Sequence, residues 1–472
     1  MVQGYKVSPM KETVVKELIG QGREAMSLFL ESDQARVDEI VTAIAWSIYQ
    51  TENATQLARQ AVENTGLGNV SDKVAKNQRK TFGTLRDLLR VRTVGIINDD
   101  PKRGIVEYAK PVGVVAAITP STNPVATPVN KAMMAVKGRN AVVIGPSPAG
   151  WPATATTVDL IRQELSRVDA PADLVQVLPA PVSKERTRQL MSAADLVVVT
   201  GSQNNVKSAY SSGTPAIGVG AGNVPVVIDS SADLAQAAQK ICASKTFDNS
   251  TSCSSENAVI LIDDVYDAAM EALVRVGGYR TSPKEKSQIE THLWIDGNLN
   301  PDLIARDSAV FARTAGLSDA AEKALFFMVE ESQFSADSRF ADEKLSLVLT
   351  VYRARDFDDA IAIIQGVLGV KGRGHSCGIH TGNPEHARRL AEEIDVVRVL
   401  VNQAHTFGNG GSFDNGLNFT LSMGCGTWGG NSISENLSYR HFINVTHLST
   451  TVEEDRPLEE DLFGPYWAKY GK

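Results

Sequence analysis

The chain has 472 residues, of which 43% are hydrophobic and 22% are charged, as in an ordinary globular protein. This length is enough for about three average domains, whose core needs no disulfides or structural metal for its stability. The net charge of −8 argues against a nucleic-acid-binding protein, which normally carries a basic excess, and gives no reason to expect attraction to an anionic membrane.

The first predicted elements are helices within residues 9–64. Apolar side chains recur there at the spacing of one helical face, as at Val14, Val15, Leu18, Ile19, Ile40, Ala43, Ile44 and Ile48. Residues 90–110 are charged and contain the sequence Asp99-Asp100-Pro101. We therefore expect that segment to form an extended excursion rather than part of the core.

From Pro111 onwards, strands alternate with helices in two successive runs. This alternation predicts mostly parallel sheets with helices on both faces, because crossovers between parallel strands are right-handed. The predicted strands are 113–118, 141–144, 174–177, 196–199, 226–228, 258–262, 345–352, 377–380 and 398–401. The predicted helices are 128–137, 153–165, 205–211, 234–245, 267–276, 357–367 and 384–393. Two α/β units joined near residue 228 are expected.

Two segments are less regular than the rest. Residues 280–335 show neither period clearly, and the acidic tail after Thr450 ends with Trp467 and Tyr470, which indicates a segment that docks on a surface. The longest apolar runs, such as 112–118, are far shorter than the ~20 residues of a spanning helix. Neither a membrane span nor a secretory signal is expected.

The four cysteines are few and scattered, which predicts reduced thiols in a cytoplasmic protein. Cys253 lies in a polar segment between a predicted helix and a buried strand, where a thiol can face a cleft and be ionised by nearby dipoles. Cys425 lies among glycines and is a rival nucleophile, whereas Cys242 lies among apolar residues of a helix. Residue chemistry alone favours Cys253 only slightly.

Two other motifs are weaker indicators of a nucleotide site or a metal site. The sequence Gly218-Val-Gly-Ala-Gly222 resembles a nucleotide-binding loop, but a dinucleotide fingerprint needs G-x-G-x-x-G followed by a helix, and here a strand follows. These glycines can instead allow the backbone to approach a ligand or a thiol closely. The cluster His375-Ser-Cys377-Gly-Ile-His380 lacks the second ligand pair of a zinc site, so no metal is expected.

The segment Pro120-Ser-Thr-Asn-Pro124 follows the predicted strand 113–118. Ligands bind at the carboxyl ends of strands in open α/β sheets, and Asn123 offers an amide donor at that position. The alternative is a turn with a helix cap, since Asn-Pro is a common turn signal.

An ordered set of motifs extends over residues 110–450. Its members are the segments 111–124, 137–140 (Lys-Gly-Arg-Asn), 145–148 (Gly-Pro-Ser-Pro), 200–202 (Thr-Gly-Ser), 209–225, 245–249 (Lys-Thr-Phe-Asp-Asn), 253–256 (Cys-Ser-Ser-Glu) and 424–432. In this order they resemble the aldehyde dehydrogenase superfamily, and more narrowly its coenzyme A (CoA)-acylating branch.

The resemblance implies a role for individual residues. Cys253 matches the family nucleophile, and the Asn123 side-chain amide matches the oxyanion hole, with the backbone N–H of Cys253 as second donor. Glu343 matches the glutamate that holds the nicotinamide ribose. The other residues placed against the dinucleotide are Thr119, Ser147, Gly201, Ser202 and Gly220. His375 is a candidate base for the CoA thiol, with packing in the site wall as the alternative.

Two departures from the family pattern bear on the subclass and the cofactor. Hydrolytic members carry a glutamate that activates water, and alignment of Asn223-Val-Pro225 on their motif puts Val219 at that position. Valine cannot accept a proton, so a thioester on Cys253 would wait for another acceptor, such as the CoA thiol. A lysine that often holds the adenosine ribose corresponds to about Gly145, which leaves NAD and NADP both open.

The resemblance therefore implies a CoA-acylating aldehyde dehydrogenase that uses NAD or NADP, with CoA as co-substrate. The segment 402–416 should border the aldehyde, and it looks more like enzymes for sulfoacetaldehyde or succinate semialdehyde than like those for acetaldehyde or propionaldehyde. Small polar groups and backbone N–H groups there could hold a sulfonate or carboxylate, although the segment has no arginine. The rivals are a hydrolytic aldehyde dehydrogenase and a nucleotide-binding regulatory or structural protein without activity.

The implied fold is α/β, with two doubly wound Rossmann-like domains and a small β oligomerisation arm. The expected dinucleotide-binding domain comprises residues 1–96 and 113–225, and the catalytic domain comprises residues 226–435. The arm comprises residues 97–112 and 436–450, and a C-terminal tail comprises residues 451–472. Pairing of the arm in a homodimer or homotetramer would bury its edge strands.

Overall fold

The computed structural model describes residues 9–472. The helices are α1 (Pro9–Phe29), α2 (Gln34–Tyr49), α3 (Thr51–Thr65), α4 (Val70–Leu89), α5 (Ala126–Lys137), α6 (Trp151–Arg167), α7 (Lys184–Ala193), α8 (Gln203–Tyr210), α9 (Leu234–Thr246), α10 (Tyr266–Arg275), α11 (Pro283–Leu293), α12 (Ser308–Thr314), α13 (Phe357–Val370), α14 (Pro384–Glu393), α15 (His405–Gly408) and α16 (Glu459–Tyr470). The strands are β1 (Gly95–Asp100), β2 (Ile105–Pro111), β3 (Val114–Thr119), β4 (Ala141–Pro146), β5 (Val175–Val177), β6 (Leu196–Val199), β7 (Ala216–Gly218), β8 (Val224–Ile228), β9 (Glu256–Ile262), β10 (Gly278–Arg280), β11 (Trp294–Ile295), β12 (Asn298–Leu299), β13 (Phe326–Glu330), β14 (Val348–Ala354), β15 (Gly374–His380), β16 (Val396–Val401) and β17 (Ile443–Ser449).

Two parallel sheets organise the molecule. The first has five strands in the order β5-β4-β3-β6-β7, and the second has seven in the order β10-β13-β14-β9-β8-β15-β16. A small antiparallel sheet, β1-β2-β17, joins distant parts of the chain. The predicted α/β fold of two doubly wound units with a small β arm is confirmed. The exact domain boundaries stay a prediction.

The central strands form because their sequences are continuous apolar runs. Every residue of β3, β4, β6, β8 and β9 is buried, as expected for strands covered by helices on both faces. Strand β6 has the same bounds as the predicted strand 196–199. The bounds of most other predicted elements differ from the observed ones by only a few residues. Apolar pattern alone was therefore enough to locate the central strands of both sheets, but it did not predict β7, β10 or β13.

The pattern did not locate α4, nor the elements between residues 280 and 335. Helix α4 carries the lysines Lys73, Lys76 and Lys80 on its buried face, so it lacks the apolar stripe by which amphipathic helices are found. Residues 90–110 are extended as predicted, and they form strands β1 and β2 of the small sheet.

The C-terminal tail, residues 451–472, was predicted to dock on a surface, but it is not buried against the rest of its own chain. No residue of α16 is buried, and Phe463 and Trp467 stack on each other with ring centroids 5.7 Å apart. Strand β17 is also exposed along most of its length. Within the described part of the chain, no helix is both long and apolar enough to cross a membrane.

Candidate functional site

A cavity of about 440 Å³ lies between the two large sheets. The first sheet contributes the segments after the carboxyl ends of β3 and β6, residues 120–123 and 200–203. These strands flank the point where the strand order reverses, which is where open α/β sheets bind ligands. The second sheet contributes the segments at the amino ends of β8, β9, β14 and β15. Side chains from both halves of the chain therefore meet in one site.

Cys253 lies in the wall of this cavity, in the segment that leads into β9. Gly222 packs against it so closely that a Cβ at that position would lie 1.9 Å from the Cys253 carbonyl oxygen. The glycine-rich segment is thus a close-approach loop between β7 and β8 and not a dinucleotide fingerprint. Cys242 instead donates to the carbonyl of Val276, and Cys425 is fully buried outside the cavity lining.

The resting Cys253 side chain is a protonated thiol. Burial, with a further contribution from the nearby charge of Glu343, raises the pKa of Cys253 to about 12. Burial also raises the pKa of Glu343 to about 7, although Lys371 Nζ lies 3.8 Å from its carboxylate and opposes the shift. Since the thiolate is the nucleophile, attack requires that the thiol first loses its proton.

A strained turn precedes the nucleophile. Asp248, Asn249 and Ser250 have φ angles of 51°, 52° and 61°, a left-handed conformation that non-glycine residues adopt at a cost of about 1–3 kcal/mol each. Lys73 Nζ binds the Asp248 carboxylate at 3.0 Å, and Asn249 donates to Asp307 at 2.7 Å. Side-chain contacts of this kind hold the turn, and the turn fixes the start of the Cys253 segment.

Asn123 follows β3 and faces the same cavity. Its Oδ1 accepts a hydrogen bond of 2.9 Å from Lys76 Nζ, while its Nδ2 makes only a 3.5 Å contact with Thr122. The amide N–H groups are thereby directed away from Lys76. Lys76 also pairs with Asp248 and donates to Thr251 at 3.2 Å, so one side chain connects the amide to the nucleophile segment. Residue patterns did not identify Lys76.

His375 lies at the start of β15 and lines the cavity. Its Nδ1 shares a hydrogen bond of 2.8 Å with Ser376 Oγ, and its Nε2 is buried with no hydrogen-bond partner among the described residues. Burial, together with the charge of Arg398, lowers the pKa of His375 well below its usual range. The ring is therefore neutral at neutral pH and can accept a proton.

The predicted cofactor residues fall into two groups. The first group lines the cavity and comprises Gly201, Ser202, Gly220 and Glu343. Thr119 and Ser147 do not line it, but lie side by side at the carboxyl ends of β3 and β4. The Ser147 N–H donates to the Thr119 carbonyl at 3.1 Å.

These positions fit a dinucleotide. The Thr119 hydroxyl is buried without a hydrogen-bond partner among the described residues, so it has a free donor at the edge where a nucleotide is expected. Gly201 has a φ of 154°, and a Cβ at this position would have no neighbour closer than 3.9 Å, so there is room for a ligand beside the end of β6. As to metals, the described residues contain no group of three or more His, Cys, Asp or Glu side chains suited to holding an ion.

Val219 lines the cavity and is buried, where alignment places the water-activating glutamate of hydrolytic enzymes. Among the described residues that line the cavity, Glu343 is the one carboxylate. It contributes to the electrostatic environment of Cys253. An acidic group is therefore present in the site, at a different position from the expected base.

Comparison with known proteins identifies the family. A match to the aldehyde dehydrogenase family covers residues 4–279, more than half of the chain. The chain belongs to the aldehyde dehydrogenase family. A sulfoacetaldehyde dehydrogenase (acylating) of Cupriavidus necator is 50% identical, over 97% of this chain and 93% of its own. A succinate-semialdehyde dehydrogenase (acetylating) of Clostridium kluyveri is 38% identical, over 96% of this chain and 99% of its own.

Solved structures of other aldehyde dehydrogenases share the fold. An acetylating aldehyde dehydrogenase from Geobacillus thermoglucosidasius superposes with a TM-score of 0.91 at 34% identity, over 95% of this chain and 99% of that one. A propionaldehyde dehydrogenase from Rhodopseudomonas palustris with bound CoA and an acylated cysteine has a TM-score of 0.82 at 25% identity, over 92% and 97%. The predictions of the family and of an oxidoreductase acting on aldehydes are confirmed.

Proposed function

We propose that this aldehyde dehydrogenase oxidises sulfoacetaldehyde with NAD or NADP and transfers the acyl group to CoA. The observation that carries the proposal is the cavity wall itself, where Cys253, Asn123 and the neutral His375 meet and a valine stands in place of the water-activating base. The predicted acylating class and its cofactors agree with the names of the relatives. Succinate semialdehyde, another short anionic aldehyde, is the second candidate substrate.

The first step is attack of the Cys253 sulfur on the aldehyde carbon, after the thiol proton has passed to solvent in the open cavity. A C–S bond forms, and the carbonyl oxygen becomes an oxyanion. The Asn123 amide and the backbone N–H of Cys253 donate hydrogen bonds to this oxygen. Each such donor contributes about 2.7–4 kcal/mol to the transition state.

Oxidation follows when the tetrahedral carbon loses its hydrogen as hydride and becomes a thioester on Cys253. A nicotinamide cofactor bound in this cavity would supply the oxidising chemistry by accepting the hydride. Thr119, Ser147, Gly201, Ser202 and Gly220 would hold the dinucleotide, and Glu343 its nicotinamide ribose.

In the last step the CoA thiol replaces Cys253. His375 Nε2 accepts the thiol proton, the CoA sulfur bonds to the acyl carbon, and the Cys253 sulfur leaves as thiolate. The lowered pKa of His375 keeps the ring unprotonated at the working pH, so Nε2 is free to accept this proton, and the ring then returns the proton readily to the leaving Cys253 thiolate.

The test of the acylating class is to omit CoA. We expect one equivalent of reduced cofactor per active site, followed by arrest, because Val219 cannot activate water against the thioester. Rapid-mixing absorbance of the reduced nicotinamide measures both phases, and CoA added later should restart turnover. Sustained formation of free acid without CoA would contradict the proposal and would favour a hydrolytic enzyme with Glu343 as its base.

Replacement of His375 with alanine tests the base. The first turnover should stay as fast as in the unmodified enzyme, whereas steady-state formation of acyl-CoA should slow by about 100-fold or more. Acyl-enzyme should accumulate, which intact-protein mass spectrometry detects as acylated Cys253. Equal slowing of the initial burst would instead show that His375 acts before CoA or only supports the fold.

The remaining parts of the proposal concern assembly and location. We propose that β1, β2 and β17 pair with a second copy of the chain in a homodimer or homotetramer, since this small sheet exposes Ile96, Val445 and Leu448. Light scattering of the intact chain measures its mass. The free state of all four cysteines is in keeping with a cytoplasmic location, which stays a prediction.

A further inference from the structure

Helix α4 brings buried positive charge to the active site. Lys73, Lys76 and Lys80 are at most 9% exposed, although lysine is rarely buried without a charged partner. They recur at three- and four-residue spacing, so they share one side of the helix. That side faces the turn at Asp248 and the segment 402–416. This segment was expected to border the aldehyde, but none of its residues lines the cavity, whereas Leu421 and Met423, which follow it, do.

In the described part of the chain, fewer carboxylates than lysines lie within ion-pair distance on this side of the helix. Lys73 and Lys76 share one buried carboxylate, that of Asp248. Lys80 has no ion pair among the described residues, and its Nζ donates to the carbonyl of Gly410 at 2.7 Å. Burial, with repulsion from Arg79 and Lys76, lowers the pKa of Lys80 to about 7. An anion placed beside Lys80 would restore its proton and its charge.

The lysines are connected to the reacting groups by short contacts. Lys76 Nζ holds Asn123, the proposed oxyanion donor, at 2.9 Å. On the other side, Asn409 Nδ2 donates to Ser254 Oγ at 2.9 Å, and Ser254 directly follows Cys253. Lys80 is bound to Gly410, the residue after Asn409, so it lies behind the same wall.

A second polar group on α4 lacks a partner. Asn77 is 3% exposed, and its Nδ2 makes no hydrogen bond among the described residues. A buried N–H group without an acceptor is costly, which suggests that a ligand supplies the acceptor. Asn77 and Lys80 are three residues apart and therefore neighbours on the helix surface.

We propose that Lys80 and Asn77, which do not line the cavity but lie in the layer directly behind its wall, attract the sulfonate or carboxylate of the aldehyde into the site, in the positive field to which Lys76 contributes. This inference rests on the proposed function and deepens it, since it assigns the choice between anionic and uncharged aldehydes to α4. Lys80 is then a specificity-determining residue. The missing arginine of segment 402–416 is explained, because the positive charge comes from a distant part of the sequence.

The experiment compares kcat/KM for sulfoacetaldehyde, succinate semialdehyde and propionaldehyde. In Lys80→Met, which keeps the length of the side chain, the preference for the anionic aldehydes over propionaldehyde should fall by about 10- to 100-fold. Asn77→Ala should shift it in the same direction by less. The matched control is Lys131→Met, because Lys131 is also a buried lysine that donates only to carbonyls, those of Ile118 and Val198. Its preference should not change.

A binding measurement without turnover completes the test. Ethanesulfonate or propionate should raise the melting temperature of the unmodified enzyme. The rise should be smaller in Lys80→Met and in Asn77→Ala. The anion that gives the larger rise identifies the acid group of the substrate. An unchanged aldehyde preference in both variants would overturn the inference while the proposed function stands. The unmodified enzyme could instead form acyl-CoA from propionaldehyde and from neither anionic aldehyde. That result would contradict the proposed substrate, and it would also contradict the role proposed for Lys80 and Asn77.

Discussion

Replacement of Cys253 with alanine should abolish formation of acyl-CoA, by about 10⁴-fold or more, as expected when a covalent nucleophile is removed. Among the described residues that line the cavity, no other side chain can form the thioester that links oxidation to acyl transfer. The reduced nicotinamide should also stop forming, because hydride leaves only from a carbon already bound to sulfur. Absorbance of the reduced cofactor and chromatography of acyl-CoA measure the two losses separately.

The fold should tolerate this substitution. Cys253 is only half-buried, and alanine removes a single sulfur without placing a larger group against Gly222. Its melting temperature should therefore match that of the unmodified enzyme. Cys242→Ala is the control on a thiol outside the cavity and should stay active. Full activity of Cys253→Ala, combined with loss in Cys425→Ala, would move the nucleophile to Cys425.

Replacement of Asn123 with alanine should lower kcat by about 10²- to 10³-fold, which corresponds to about 2.7–4 kcal/mol of lost oxyanion stabilisation. The loss should be similar for sulfoacetaldehyde and propionaldehyde, because the developing charge is on the aldehyde oxygen in both. This outcome differs from that of Lys80→Met, where only the anionic aldehyde should be affected. Steady-state kinetics with both substrates distinguishes an oxyanion donor from a specificity residue.

Lys76→Met is the companion variant for Asn123. It removes the hydrogen bond that orients the amide, so kcat should fall for both aldehydes, by less than in Asn123→Ala. If Asn123→Ala raised KM and left kcat unchanged, the amide would bind substrate and transition state equally, and the oxyanion assignment would be wrong.

Apolar pattern and motif order predicted much of the fold and the site. Continuous buried strands such as β3 and β6 are visible in the sequence, whereas Cys253, Asn123, His375 and Glu343 were assigned to the site from the resemblance to the family, and all four line the cavity. Apolar pattern alone favoured Cys253 only slightly, because it locates strands but does not say which polar side chain beside them takes part in the chemistry.

The contribution of α4 could not be predicted in the same way. Lys76 and Lys80 are separated from Asn123 and Gly410 by long stretches of sequence, and their contacts exist only after the chain has folded. Their helix lacks an apolar stripe because lysines take the buried positions. Three lysines at helical spacing, with few carboxylates on the same side, are the signal that could have drawn attention to it.

The apolar side chain of Val219 has a consequence for energy metabolism. Because water is not activated, the free energy released by aldehyde oxidation is kept in a thioester instead of being dissipated by hydrolysis. Transfer from one sulfur to another changes that free energy little. The ratios of oxidised to reduced nicotinamide and of free to acylated CoA therefore decide whether the enzyme produces the aldehyde or consumes it.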